Sequence, residues 1–180
     1  MTNLDKQFKI LLHDPFDWLN TAKNHLISAN CIDKRIAELI RIDPDFNNEE
    51  NDLESQALMN SCLFLVGIGL ENAIKGYIVA QNQNFKELQE LNTFGWQIKS
   101  GHGISEMFRI NCAVIYSTNK DFLDRIEEYL IWLGKYSTPK MAKFLNVKQE
   151  YYVDDVVRAT SIISEIEEMI NKMNIPFYYV

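Results

Sequence analysis

The sequence predicts an all-α protein, folded as an up-and-down antiparallel bundle of four to five main helices. Glycine and proline are scarce, with 7 and 4 among 180 residues, and no alternating strand pattern is sustained along the chain. Apolar residues instead recur at three- and four-residue steps, which is the period of an amphipathic helix. The length fits a single domain, which we assign to residues 1–180.

The first helix is predicted by its two ends and by the apolar stripe between them. Asp14 can cap it, Pro15 suits its first position, and Asp43-Pro44 stops it, because a residue before proline avoids helical geometry. The stripe consists of Leu19, Ala22, Leu26, Ala29, Ile32, Ile36 and Leu39. From Asp43 to Glu54 the chain carries six acids and no Lys or Arg. This stretch predicts a solvated connector rather than a cation site, since calcium-loop spacing is missing.

The second helix, predicted from about Ser55 to Gln81, is apolar almost all round. Such a helix lies in the centre of a bundle or in a subunit interface. Gly67 and Gly69 each cost about 1 kcal/mol in a helix relative to Ala, so they indicate close approach of another helix. Glu71 and Lys75 interrupt the apolar surface with the acid-first i,i+4 spacing of an ion pair. Either they face a cleft or they pair within the core.

The rest of the chain predicts three further helices. A connector from Gln83 to Gly101 contains a short amphipathic piece, and the third helix begins near residues 101–103. The fourth helix is predicted to open at Thr118, because residues 118–121 resemble a capping box. The last helix carries the stripe Val153, Val156, Thr160, Ile163, Ile166, Ile170 and Met173.

Composition narrows the possible functions. A net charge of −7, from 25 acids against 18 bases, disfavours a protein that coats duplex DNA. The three cysteines, Cys31, Cys62 and Cys112, match no zinc motif, and we predict that they are buried apolar residues. No metal and no cofactor is predicted. The longest uninterrupted apolar run, residues 62–70, is too short to cross a membrane, so we expect a cytoplasmic protein without a membrane partner.

Two places could hold an anion. His102 stands between two glycines at a predicted helix start, where backbone N–H groups favour anions and a neutral imidazole. It could act as a base or bind phosphate, or it could simply hydrogen-bond a neighbouring helix. Lys135 and Tyr136 lie in the acid-free stretch of residues 130–149, which has four lysines. That stretch could hold a phosphate or single-stranded RNA, or it could be a solvated loop beside acidic helices.

Three motifs in order resemble the HEPN superfamily of helical bundles. Residues 70–77, LENAIKGY, are similar to the "ELxLKAY" helix of that family. Residues 100–104, SGHGI, are similar to its "GHDL" helix opening, and residues 129–139, YLIWLGKYSTP, to its "W-x-GRYP" turn. The chain departs from the family at Gly103, where Asp is usual, and at Lys135, where Arg is usual. Lys keeps the charge but loses the bidentate fork of Arg.

The resemblance implies a bundle that is often dimeric and occurs in bacterial defence and toxin–antitoxin settings. Many HEPN proteins are metal-independent RNases with an Arg, four to six residues and then a His, and no histidine here has an Arg at that spacing. We therefore expect a non-catalytic binding module that forms a homodimer through its second helix and neighbouring helices. A cleft with Glu71, Lys75, His102, Lys135 and Tyr136 would receive a nucleotide, an RNA end or a protein partner. The alternatives are a metal-independent RNase with His102 as acid/base and a purely structural interaction subunit.

Overall fold

The computed structural model describes residues 13–45, 47–82, 103–130, 150–173 and 175, and these residues form five helices and no strand. The helices are α1 (Pro15–Ile42), α2 (Glu49–Gln81), α3 (Ile104–Asn111), α4 (Ala113–Glu128) and α5 (Asp155–Asn171). The predicted all-α bundle is confirmed. The short helical piece predicted between Gln83 and Gly101 lies outside the described residues.

Helices α1 and α2 form a long antiparallel pair. The Asp14 side chain accepts a hydrogen bond from the Phe16 amide, and Asp43 ends the helix, so both predicted limits of α1 are confirmed. Near the connecting turn, Arg35 pairs with Glu54. Towards the other end, Gly76 lies against Pro15 and Trp18. In these contacts a higher residue number in α1 goes with a lower residue number in α2, so the two helices run antiparallel.

Helix α2 is the centre of the bundle, as its uniformly apolar sequence predicts. It contacts all four other helices, and 15 of its 33 residues are buried. Both predicted close approaches are confirmed: a Cβ on Gly67 would meet Leu130, and one on Gly69 would meet the Ala22 carbonyl oxygen. Packing inside one chain therefore accounts for most of the apolar character of α2.

Helix α5 packs against both α2 and α1, and it runs antiparallel to α1. Tyr151, just before α5, donates a hydrogen bond from its hydroxyl to Asp33. At the far end of the contact, Lys23 Nζ lies 2.6 Å from Glu167 Oε1. The buried face of α5 consists of Asp155, Val156, Ala159, Ile162, Ile163, Ile166 and Ile170.

The predicted connector of residues 43–54 is too long, because α2 begins at Glu49 rather than at Ser55. The Asn48 side chain caps the helix by accepting hydrogen bonds from the amides of Glu50 and Asn51. The first turn contains three acids, which the positive end of the helix dipole stabilises. The second half of the acidic stretch, residues 49–54, is therefore helical and forms about the first one and a half turns of α2.

The predicted opening of the fourth helix at Thr118 is also wrong. Helix α4 begins at Ala113, after a break at Cys112, and continues through Thr118. There the Thr118 hydroxyl donates to the carbonyl oxygens of Val114 and Ile115, at 3.2 and 3.1 Å. A capping-box pattern is local, and a helix that has already started upstream overrides it.

Three residues predicted to be buried are exposed. Val153 precedes α5 and is 70% exposed, and Thr160 is exposed on the helix. The true stripe passes through Ala159, one residue earlier. Cys31 is exposed, whereas Cys62 and Cys112 are buried as predicted. Cys31 comes two residues after the buried Ala29. Two residues of an α-helix correspond to a rotation of about 200°, so the Cys31 side chain lies on the opposite side of α1 from that of Ala29.

Among the described residues, α2 is the one helix long and apolar enough to pass as a membrane span by length and composition. Half of its most apolar window is buried inside the protein. Core helices of soluble proteins meet the same criterion, so the observation is weak evidence for a membrane.

Candidate functional site

The Glu71–Lys75 ion pair lies near the middle of the most buried part of α2. Lys75 Nζ is 2.5 Å from Glu71 Oε1, and this confirms the predicted i,i+4 pair. The side chain of Glu71 is 9% exposed and that of Lys75 is 19% exposed. The carboxylate is therefore almost enclosed, and the ammonium group forms the more accessible end of the pair.

Trp18 of α1 also approaches this pair, although no sequence motif singles it out. Lys75 Nζ lies 5.9 Å from the centroid of the indole ring, within the range of a cation–π interaction. Gly76 makes the approach possible, because a Cβ there would lie 3.0 Å from the Trp18 Cβ. Trp18 is half-buried. We call Trp18, Glu71 and Lys75 the α1–α2 site.

The other three predicted site residues, His102, Lys135 and Tyr136, lie outside the described residues. The structure brings Glu71 and Lys75 together, and these two are the members of the predicted cleft that it describes. The cleft that would unite all five residues stays a prediction.

The start of α3, two residues after His102 in sequence, already has an anionic partner. Glu127 of α4 accepts a hydrogen bond from the Ser105 amide at 2.8 Å, and Asp124 accepts one from the Ser105 hydroxyl. Burial raises the pKa of the Glu127 carboxyl, although the Ser105 amide acts in the opposite direction. At Ser105, therefore, the carboxylates of Glu127 and Asp124 take the place of the anion that this helix end was predicted to attract.

A second polar cluster, between α4 and the start of α5, joins residues far apart in sequence. Arg125 donates to both carboxylate oxygens of Asp155 and to the Glu150 carbonyl oxygen at 2.5 Å. The side chain of Asp155 is 2% exposed, and it also accepts from the Tyr152 amide at 2.9 Å. The Tyr152 ring lies 4.7 Å from the guanidinium carbon. This arrangement fixes the start of α5 on α4, and a separation of 30 residues leaves no local sequence signal for it.

The two buried cysteines are poorly suited to thiolate chemistry. Burial raises the pKa of Cys62 to about 12 and that of Cys112 to about 12, so both thiols stay protonated at neutral pH. In the part of the chain that the structure describes, no group of three or more His, Cys, Asp or Glu residues could hold a metal ion.

Comparison with known proteins adds no relative: no protein-family model, no curated protein and no solved structure matches the chain significantly. The HEPN resemblance therefore depends on the three sequence motifs. Of their residues, the structure describes 70–77 in α2, 103–104 at the start of α3 and 129–130 after α4.

Proposed function

We propose that this protein is a non-catalytic HEPN-like binding module whose α1–α2 site contributes to holding a nucleotide phosphate or an RNA end. A homodimer in a bacterial defence or toxin–antitoxin setting, in the cytoplasm, belongs to the same proposal. The observation that carries it is the Glu71–Lys75 pair within the most apolar helix. The three ordered motifs, and the missing Arg–His nuclease spacing, support a binding role over cleavage.

The energetics of the pair favour a role beyond stability. Removing two charges from water costs several kcal/mol per ion, and the attraction between them often only balances that cost. Apolar residues of similar volume frequently serve a core as well or better. A charged pair in the most apolar stretch of α2 is therefore weak evidence for a purely stabilising role, and this supports the proposed role of the ammonium group in binding a ligand.

The pair itself is neutral, so its attraction for an anion depends on the ammonium group being more accessible than the carboxylate. Exposures of 19% for Lys75 and 9% for Glu71 agree with this order. Further positive charge for a phosphate would come from the lysines of residues 130–149, which lack acids.

Binding is tested with a labelled RNA oligonucleotide carrying either a 5′-phosphate or a 5′-hydroxyl. The test variant is Glu71→Gln/Lys75→Met, which removes both charges at similar volume. The matched control is Lys120→Met, since Lys120 forms an exposed i,i+4 pair with Asp124. We expect the double variant alone to lose the preference for the 5′-phosphate. Equal binding by all three proteins, or no binding by the wild type, contradicts the proposal.

Cleavage is tested separately by incubating wild type and His102→Ala with end-labelled mixed RNA in EDTA. A binding module leaves the RNA intact in both reactions. Cleavage by wild type that disappears in His102→Ala would instead establish the metal-independent RNase. If the variants change only the melting temperature and no ligand binds, the structural subunit is the correct interpretation.

A further inference from the structure

We propose that Arg158, on the surface between α4 and α5, binds an oxyanion, either a phosphate or a carboxylate. The proposal goes beyond the function proposed above and does not depend on it, since the described side-chain contacts of Arg158 are all with α4. The observation that carries it is a half-buried guanidinium group that neutral groups hold in place and that no carboxylate of the described residues neutralises.

The missing counter-charge distinguishes Arg158 from comparable cations. In the described part of the chain, the half-buried lysine and arginine side chains are Lys23, Lys75, Arg125 and Arg158. The first three each form an ion pair with a carboxylate, whereas the described partners of Arg158 are all uncharged. A charge held partly out of water is generally paired. An anion from solution would supply the partner that Arg158 lacks.

The guanidinium group of Arg158 is held in a fixed orientation. Its Nε donates to Asn119 Oδ1 at 2.8 Å, and Nη2 donates to the Thr118 carbonyl oxygen at 3.3 Å. The guanidinium carbon lies 4.9 Å from the centroid of the Phe122 ring, which is buried. Arginine has five N–H donors, so these contacts leave both N–H groups of Nη1 and one of Nη2. Adjacent donors on two nitrogens match two oxygens of a phosphate or carboxylate.

The protein's own nearest carboxylate in sequence does not occupy this fork. Asp154 precedes Arg158 by four residues, an arrangement that favours an ion pair on a helix, yet the guanidinium group bonds to Asn119 and Thr118 on α4 instead. Arg125 differs, because Asp155 occupies it. The net charge of −7 repels anions at long range, but about 0.15 M salt screens charges beyond about 8 Å. Recognition at Arg158 therefore depends on the short-range fork.

The test is an NMR titration of the ¹⁵N-labelled wild type with sodium phosphate and, separately, with sodium acetate, at a constant ionic strength of about 0.15 M. Loss of one arginine Nε–H signal in Arg158→Lys assigns that signal. We expect the Arg158 signal to shift and saturate. Arg41, which is exposed, is the matched internal control and should drift only slightly. The anion that saturates the signal at the lower concentration identifies the preferred oxyanion.

The Asn119 side-chain amide reports binding in the variants. Arg158→Lys keeps the charge but loses the fork, so it should bind more weakly, and Arg158→Gln should show no saturation. An Arg158 signal that moves no more than that of Arg41 with both anions overturns the proposal, and so does saturation that persists at Asn119 in Arg158→Gln. The wild-type titration needs no variant to fold. Because neither anion titration uses RNA or a change at Lys75, its result is independent of the outcome for the α1–α2 site.

Discussion

The three glycines of α2 should respond to alanine in an order set by what each new Cβ meets. At Gly67 the Cβ would lie 2.6 and 2.9 Å from Leu130 Cγ and Cδ2. At Gly76 it would lie 3.0 Å from the Pro15 carbonyl oxygen and from the Trp18 Cβ. At Gly69 the nearest atom, the Ala22 carbonyl oxygen, is 3.3 Å away.

Two opposing free energies determine the result. Replacing Gly by Ala in a helix interior contributes about 1 kcal/mol of stability, whereas overpacking a core costs about 1–3 kcal/mol. Leu130 is 1% exposed, so it has little room to move, and we expect Gly67→Ala to destabilise by about 1–2 kcal/mol. Gly76→Ala should lose about 1 kcal/mol, because backbone atoms yield poorly. Gly69→Ala should stay within about 0.5 kcal/mol of wild type, since the two effects nearly cancel.

Chemical denaturation and thermal melting measure these differences, and about 1 kcal/mol corresponds to roughly 2–4 °C for a chain of this size. Ser61→Ala, at an exposed position of α2, is the control for an alanine substitution at the surface of the same helix. A double-mutant cycle gives the sharpest test: Leu130→Ala makes room at Gly67, so Gly67→Ala should cost less in that background. A Gly67→Ala protein as stable as wild type, with Gly69→Ala clearly weaker, would refute the packing of Gly67 against Leu130.

Three further predictions concern charged groups. Lys75→Met removes the Lys75 ammonium from the enclosed Glu71 carboxylate and should destabilise by about 3 kcal/mol. Adding Glu71→Gln should restore much of that loss in urea unfolding, and additive losses would contradict the pairing. Arg125→Met should cost about 3–5 kcal/mol, since Asp155 is 2% exposed, and hydrogen exchange should rise first at the start of α5; uniform exchange would argue against a local anchor. The pKa of Glu127 is raised by burial from 4.5, so the folded state retains this proton longer and stability falls as pH rises from about 4.5 through the raised pKa. Glu127→Gln should flatten that fall in melting curves, and an unchanged profile would assign it to other carboxyls.

The ends of α1 could be predicted from sequence because their causes are local. Asp14 caps through its own side chain two residues from the amide it binds, and Pro44 acts on its immediate neighbour. The start of α2 was missed for a related reason. Asn48 is a good cap, but the acids that follow it resemble a solvated loop until their position in a first helical turn is known.

The contacts that could not be predicted join distant parts of the chain. Thr118 has the sequence of a helix start, yet the helix had begun at Ala113, and only packing decides which start is used. Arg125 and Asp155 give no signal of their partnership, since each is ordinary within its own helix. Among the candidate site residues, the i,i+4 pair of Glu71 and Lys75 could be predicted because both residues lie on α2. Trp18 could not, because it approaches that pair only through the register of α1 against α2.

This register connects the stability of the fold to the proposed site. Trp18 can lie close to α2 because position 76, directly after Lys75, is a glycine and has no side chain. An alanine at position 76 would push α1 outward where the indole approaches the ammonium group, while an alanine at 67 disturbs α2 at Leu130 instead. The preference for the 5′-phosphorylated RNA should therefore fall in Gly76→Ala and persist in Gly67→Ala, even though the second variant loses at least as much stability. If that preference instead follows stability across the two variants, the contact between Trp18 and Lys75 contributes to packing and not to the proposed phosphate site.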